Sequence, residues 1–220
     1  MSSSPPHRPA AVLFDFGGVL TDSPLVGFAG YEQRQGLPAG LLRQINSTNA
    51  DRNAWARYER REVDEVGFCA LFEAEAEALG HTVDARAVLR LLEVGLRPDM
   101  LEALRRLHDA GIRLALLTNN MSPLERRGPM DDLLDLFDVV VQSSVEGVRK
   151  PEPAFYERAL QQLGAVSAAD VVFLDDLGVN LKPARAMGMT TIKVVDPLTA
   201  LRELADLVGL DLLPSDASGR

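Results

Sequence analysis

Cysteine and histidine are scarce in this chain, basic residues are outnumbered, and no apolar run is long. The one cysteine, Cys69, cannot close an internal disulfide; inside the apolar stretch Val66 to Phe72 it reads as a small buried hydrophobe. His7, His81 and His108 are scattered, and none stands at metal-ligand spacing to another, which excludes a histidine metal site. Lys and Arg total 23 against 32 Asp and Glu, a net charge of −9. An acidic surface with no basic cluster repels phosphate backbones, so no nucleic-acid partner is expected. A bound metal can still make one site locally positive, and small anionic substrates therefore remain open. No apolar segment is long enough to cross a bilayer, and the start, Met-Ser-Ser-Ser-Pro-Pro, lacks the apolar centre of a secretory signal. The expectation is a cytoplasmic chain with no membrane partner.

Within 220 residues, 46% of them hydrophobic, there is room for one substantial core, or one core and a small module. Short apolar runs end in polar residues: Ala11–Phe14 before Asp15, Ile112–Leu117 before Thr118, Val139–Val141 before Gln142, Val171–Leu174 before Asp175, and Thr191–Val195 before Asp196. Runs of this kind suit strands covered on both faces. Between them lie helical patterns closed by glycine: Leu101, Leu104 and Leu107 before Gly111; Phe155, Leu160 and Leu163 before Gly164; Leu181, Ala184 and Met187 before Gly188. The alternation predicts an α/β fold, a doubly wound parallel sheet. Residues 23–96 break it, with helical patterns such as 56–62 and 66–79 and no strand. They read as a helical cap inserted after the first strand, leaving 1–22 and 97–220 as the core. The Ser- and Pro-rich start and the residues from Pro214 onward are expected to be disordered.

Ligands of open parallel sheets bind beyond the carboxyl ends of the strands, and Asp15, Thr118 and Asp175-Asp176 all stand at such ends. A carboxylate followed by Phe-Gly-Gly can approach a substrate and attack phosphorus, being ionised at neutral pH; the ordinary alternative is a turn cap. Adjacent carboxylates at 175 and 176, with Asn180 beyond them, repel unless a cation or hydrogen bonds compensate, and with Asp15 they suit magnesium. The alternative for that pair is an acidic cluster at a helix start. The Thr118 hydroxyl and the neighbouring Asn119 amide can hold a phosphoryl oxygen, or merely cap a helix. Lys150, in Val-Arg-Lys-Pro-Glu-Pro, supplies a point charge that would neutralise nucleophile and phosphoryl group, where an isolated Lys is ordinarily solvated surface.

In this order the four elements resemble the haloacid dehalogenase-like hydrolase superfamily. The stretches Val148–Tyr156 and Phe173–Met189 are particularly similar to the N-terminal phosphatase domain of soluble epoxide hydrolase and to the related domain of acyl-CoA dehydrogenase fusions. The resemblance implies a Rossmann-like core, an aspartyl-phosphate formed on Asp15, and Mg2+ held by Asp15, the Gly17 carbonyl and Asp176 with Asp175 in support. It implies a small phosphorylated substrate selected by the cap and by the loop after Asp15. Arg52, Trp55, Tyr58 and Arg60 are candidates for that selection, although helix packing or solvated surface is the ordinary role of each.

One position departs from the pattern. Phosphatases of this superfamily usually carry a second Asp two residues after the nucleophile, as general acid and base, and Gly17 stands there instead. Losing that help is worth roughly 10²–10⁴-fold, so turnover should be slow unless water, Asp22 or a cap residue compensates. Two other readings stay open: a dehalogenase, whose halide needs no acid but which leaves the acidic pair without a purpose, and a catalytically weakened module binding a phosphorylated ligand or a partner.

Overall fold

The computed structural model describes residues 8–214. Residues 1–7, with His7, and 215–220 lie outside, as does most of the expected terminal disorder. In chain order the elements are β1 (Ala11–Phe14), a tight irregular turn (Phe16–Leu20), α1 (Pro24–Gln35), α2 (Leu41–Ser47), α3 (Ala54–Glu59), α4 (Glu65–Ala78), α5 (Ala85–Arg90), α6 (Pro98–Asp109), β2 (Arg113–Thr118), α7 (Pro129–Leu134), β3 (Val139–Gln142), α8 (Ser143–Glu146), α9 (Pro153–Gln162), a short 3-10 turn (Ala168–Asp170), β4 (Val171–Asp175), α10 (Gly178–Ala186), β5 (Thr190–Lys193) and α11 (Pro197–Val208).

All five strands are parallel, in the order β3-β2-β1-β4-β5, with Phe14 opposite Leu116 on one side and Leu174 on the other. The alternation of strand side chains splits the core in two. Val12, Phe14, Leu114, Leu116, Val172, Leu174 and Ile192 pack with α6 and α11 on one face. Ala11, Leu13, Ala115, Leu117, Val171 and Phe173 pack with α9 and α10 on the other. Burial on both faces is why the strands read as continuous apolar runs rather than alternating ones. The last strand differs from the expected 191–195: it ends at Lys193, Val194 turns into the core, and Val195 is exposed before α11 starts.

From α1 to α5 the chain is helical and builds a third apolar cluster around Phe68, Phe72, Trp55, Leu42 and Ile45. It leaves and re-enters the core at adjacent points, because Asp22 N donates to Gly95 O (3.0 Å) and Arg97 N donates to Leu20 O (2.8 Å). Sequence periodicity gave helix 56–62 where α3 spans 54–59. Asn53 caps its start by accepting from Ala56 N, and Arg61 breaks its end in the left-handed region at φ 57°.

Candidate active site

Asp15 stands where β1 stops, 7% exposed, with its carboxylate accepting from Phe16 N at 2.6 Å. The following turn closes when Thr21 N donates to Phe16 O (3.2 Å). Its two glycines do different work. Gly18 has φ 75°, and a Cβ there would lie 2.7 Å from Asp176 Cγ, so only glycine lets the Asp176 carboxylate lie against this turn. At Gly17, φ is −70° and a Cβ would meet nothing within 4 Å. No steric reason forbids a side chain at this position, where the family resemblance would lead one to expect an acid.

Strand order reverses between β1 and β4, and this is where the carboxylates meet: Asp15, Asp175 and Asp176 offer oxygens all within 4.8 Å of one another. Lys150 reaches between them, Nζ 2.7 Å from Asp15 Oδ1 and 2.8 Å from Asp175 Oδ2, and is itself 1% exposed. Asp175 is buried and satisfied, accepting also from Leu177 N (2.8 Å) and Asn180 Nδ2 (3.1 Å), while the Tyr156 hydroxyl donates to Asn180 O (2.6 Å). Thr118 ends β2, buried, two residues past the Phe14–Leu116 pairing. The Asn119 side chain grips the Lys150 backbone from both sides, Nδ2 donating to its carbonyl and Oδ1 accepting from its N–H, each at 2.9 Å. Asn120 braces the loop through Ser122, Gln142, Ser143 and Ser144.

Burial pushes the Asp15 carboxyl well above its usual range, Asp175 and Asp176 push the same way, and the Lys150 ammonium opposes them. Burial works against charge on Lys150, yet Asp15 and Asp175 outweigh it and raise its pKa. Burial, then the charge of Asp175, pushes Asp176 up to about 6. Were all three carboxylates ionised around the one ammonium, two negative charges would be in excess, and the upward shifts of Asp15 and Asp176 are the response of a site too sheltered to solvate them. A hard divalent cation with oxygen ligands fits that deficit.

The selection candidates from the insertion are mostly spoken for. Trp55 is 7% exposed and packs on Phe68 at 4.6 Å, and Tyr58 stacks on the same ring at 4.9 Å. Arg60 donates to Glu62, Glu152 and the Asp51 carbonyl. Arg52 is exposed and lines two shallow cavities, of about 510 and 440 Å³, that no carboxylate of the site touches. Asp22 pairs with Arg97 (3.5 Å) where the insertion joins the core. Sequence reasoning missed three things: the Gly18 approach to Asp176, whose signal was the Gly-Gly pair; the Asn119 grip; and the ties between residues 149–152 and α3, which have no local signal.

A family model described as haloacid dehalogenase-like hydrolase matches residues 9–188. The chain is 36% identical over 209 residues to mouse (Mus musculus) acyl-CoA dehydrogenase family member 10, covering 92% of this chain and 19% of that protein, about a fifth of its length. It is 33% identical to the sesquiterpene phosphatase astK of Aspergillus oryzae, covering 90% of this chain and 96% of that one. Its fold is shared by a HAD family enzyme of Bacteroides thetaiotaomicron solved with magnesium and inorganic phosphate, at TM-score 0.56 and 18% identity, covering 84% and 93% of the two chains. Solved dehalogenases share the fold as well.

Proposed function

This chain belongs to the haloacid dehalogenase-like hydrolases, and from that premise we propose that it hydrolyses a small phosphorylated molecule through an aspartyl-phosphate on Asp15. The observation that carries the proposal is Lys150, buried between Asp15 and Asp175 with Asp176 alongside. In this reading an Asp15 oxygen attacks phosphorus as the ester P–O bond breaks, and water then cleaves the acyl phosphate to release inorganic phosphate. Lys150 offsets the charge of nucleophile and phosphoryl oxygens, and Thr118 with the Asn119 amide orients those oxygens. Asp15, Asp176 and the Gly17 carbonyl would hold Mg2+, with Asp175 behind them, and the ion when bound supplies Lewis-acid charge neutralisation. Lacking a side chain, Gly17 cannot protonate the leaving oxygen, so substrates whose leaving group departs readily as an anion are favoured.

Residues 23–96 would form a cap over the core of 1–22 and 97–220. The near full-length similarity to a sesquiterpene phosphatase supports a phosphate on an apolar carbon skeleton. So do the exposed Leu25, Val26, Leu177 and Val179 on segments leaving the carboxyl ends of β1 and β4.

The test is a panel of sugar, acyl and isoprenoid phosphates assayed with Mg2+ and with EDTA. Phosphate release that needs Mg2+ and disappears in Asp15→Asn with the fold intact is expected. Halide release from 2-haloacids that persists in EDTA would overturn the phosphatase reading in favour of attack on carbon.

A further inference from the structure

The segment carrying Lys150 is held from two directions. From the core, the Asn119 side chain pins the Lys150 backbone at its N–H and its carbonyl. From the insertion, α3 and the loop before it take hold of the residues on either side. Arg149 Nε pairs with Glu59 Oε2, and Arg149 Nη1 donates to the Ala50 carbonyl (3.1 Å). Three residues on, Glu152 accepts from Arg60 Nη1 (3.1 Å), and Arg60 Nη2 donates to the Asp51 carbonyl (2.9 Å). The Arg149 and Glu59 side chains are only 14% and 13% exposed, so that pair is largely sheltered from solvent, whereas Glu152 is 35% exposed and the bonds to the Ala50 and Asp51 carbonyls lie at the surface.

A lysine reaches its targets through a flexible four-carbon stem, and the place of Nζ depends on where the backbone is fixed. Lys150 Nζ must stay within hydrogen-bond distance of two carboxylates at once. We infer that the Arg149–Glu59 and Arg60–Glu152 pairs form a latch through which the helical insertion positions Lys150 for phosphoryl transfer. The inference rests on the phosphatase reading above. Glu59 and Arg149 are positioning residues: neither touches the carboxylates, and they act through the loop that carries the lysine. The sheltered Arg149–Glu59 pair is weakly screened by salt, and removing one partner leaves an unpaired, partly buried charge.

The test uses the full chain with Glu59→Gln, Arg149→Met and the charge-reversed double variant Glu59→Arg/Arg149→Glu. Para-nitrophenyl phosphate with Mg2+ is the probe, alongside Mg2+-dependent thermal shift and hydrogen exchange of the amides at 149–152. Both single variants are expected to lose about 10- to 100-fold in kcat, the effect of misplacing a charged group by an ångström or less. Their KM should move less than about threefold and their Mg2+ midpoint should not move, because neither residue binds substrate or metal. Exchange at 149–152 should accelerate in both, and the reversed pair should recover a substantial part of kcat and of the protection. Single variants that keep kcat within about twofold of the wild type while exchange accelerates overturn the inference, as does a folded reversed pair that recovers nothing. A wild type that hydrolyses no phosphate on a broad panel overturns the phosphatase reading itself, and this catalytic role with it. The two failures are thus told apart by the wild-type assay.

Discussion

Gly17 and Gly18 are neighbours with opposite constraints, and substitution reads them out separately. The open space and ordinary φ at Gly17 mean that Gly17→Asp should fold normally and set a carboxyl beside the nucleophile. Its kcat/KM toward alkyl phosphates should rise, by up to about 10²-fold where leaving-group protonation limits turnover. An unchanged or lower rate would count against a missing acid. At Gly18, a methyl group collides with the Asp176 carboxylate and demands a left-handed backbone. Gly18→Ala should therefore weaken Mg2+ binding at least about tenfold by calorimetric titration, through displacement of a ligand rather than loss of one. Asp176 also sets a pH window. Its carboxyl, raised to about 6, keeps in the folded, metal-free protein a proton that the unfolded chain releases above about 4. This group thus stabilises the fold below about pH 4, and that contribution is lost as the pH rises toward 6. Mg2+ needs the ionised form, so the thermal shift it induces should be large at pH 7.5 and shrink as the pH falls through 6. Asp176→Asn should abolish that step; a Mg2+ shift that ignores pH in the wild type would remove Asp176 from the ligand set.

Among the elements, α3 and α4 depend on one ring. Phe68 is fully buried, with ring centroids at 4.6 Å from Trp55, 4.9 Å from Tyr58 and 5.4 Å from Phe72. Phe68→Ala should cost about 3–5 kcal/mol in denaturant unfolding, and a loss below about 1 kcal/mol would show that the cluster relaxes around the gap. The sheet elements were legible in the sequence because burial on both faces leaves β-branched and aliphatic runs that nothing else explains, and because Gly111, Gly164 and Gly188 stop helices with φ of 70°, 84° and 104°. The insertion was legible only as helical. Its short elements, such as α3 and α5 with six residues each, carry too few turns for periodicity to fix their ends. Candidate site residues at strand tips could be picked out one by one, since polar residues after apolar runs are local signals. The Asn119 grip on Lys150 spans 31 residues and the Arg149–Glu59 pair spans 90, and such partnerships leave no local trace.

At the scale of the whole molecule, the order β3-β2-β1-β4-β5 brings chemistry from distant parts of the chain to one edge. Asp15, the proposed nucleophile, follows β1, Lys150 precedes α9, and Asp175 and Asp176 stand at and just after the end of β4, so no fragment of the chain holds the site. A net charge of −9 makes the molecule repel anions at long range, and only a local cation excess can draw phosphate in. Lys150 alone does not supply that excess against three carboxylates, and the proposed activity is therefore expected to need a divalent ion. The most direct measurement is acid quench of the enzyme during turnover of a 32P-labelled phosphate, followed by peptide mapping. Label on the peptide containing Asp15, released by hydroxylamine and absent both in EDTA and in Asp15→Asn, is the expected result. Magnesium-dependent turnover that continues in Asp15→Asn, with no label on that peptide, would contradict a covalent role for Asp15.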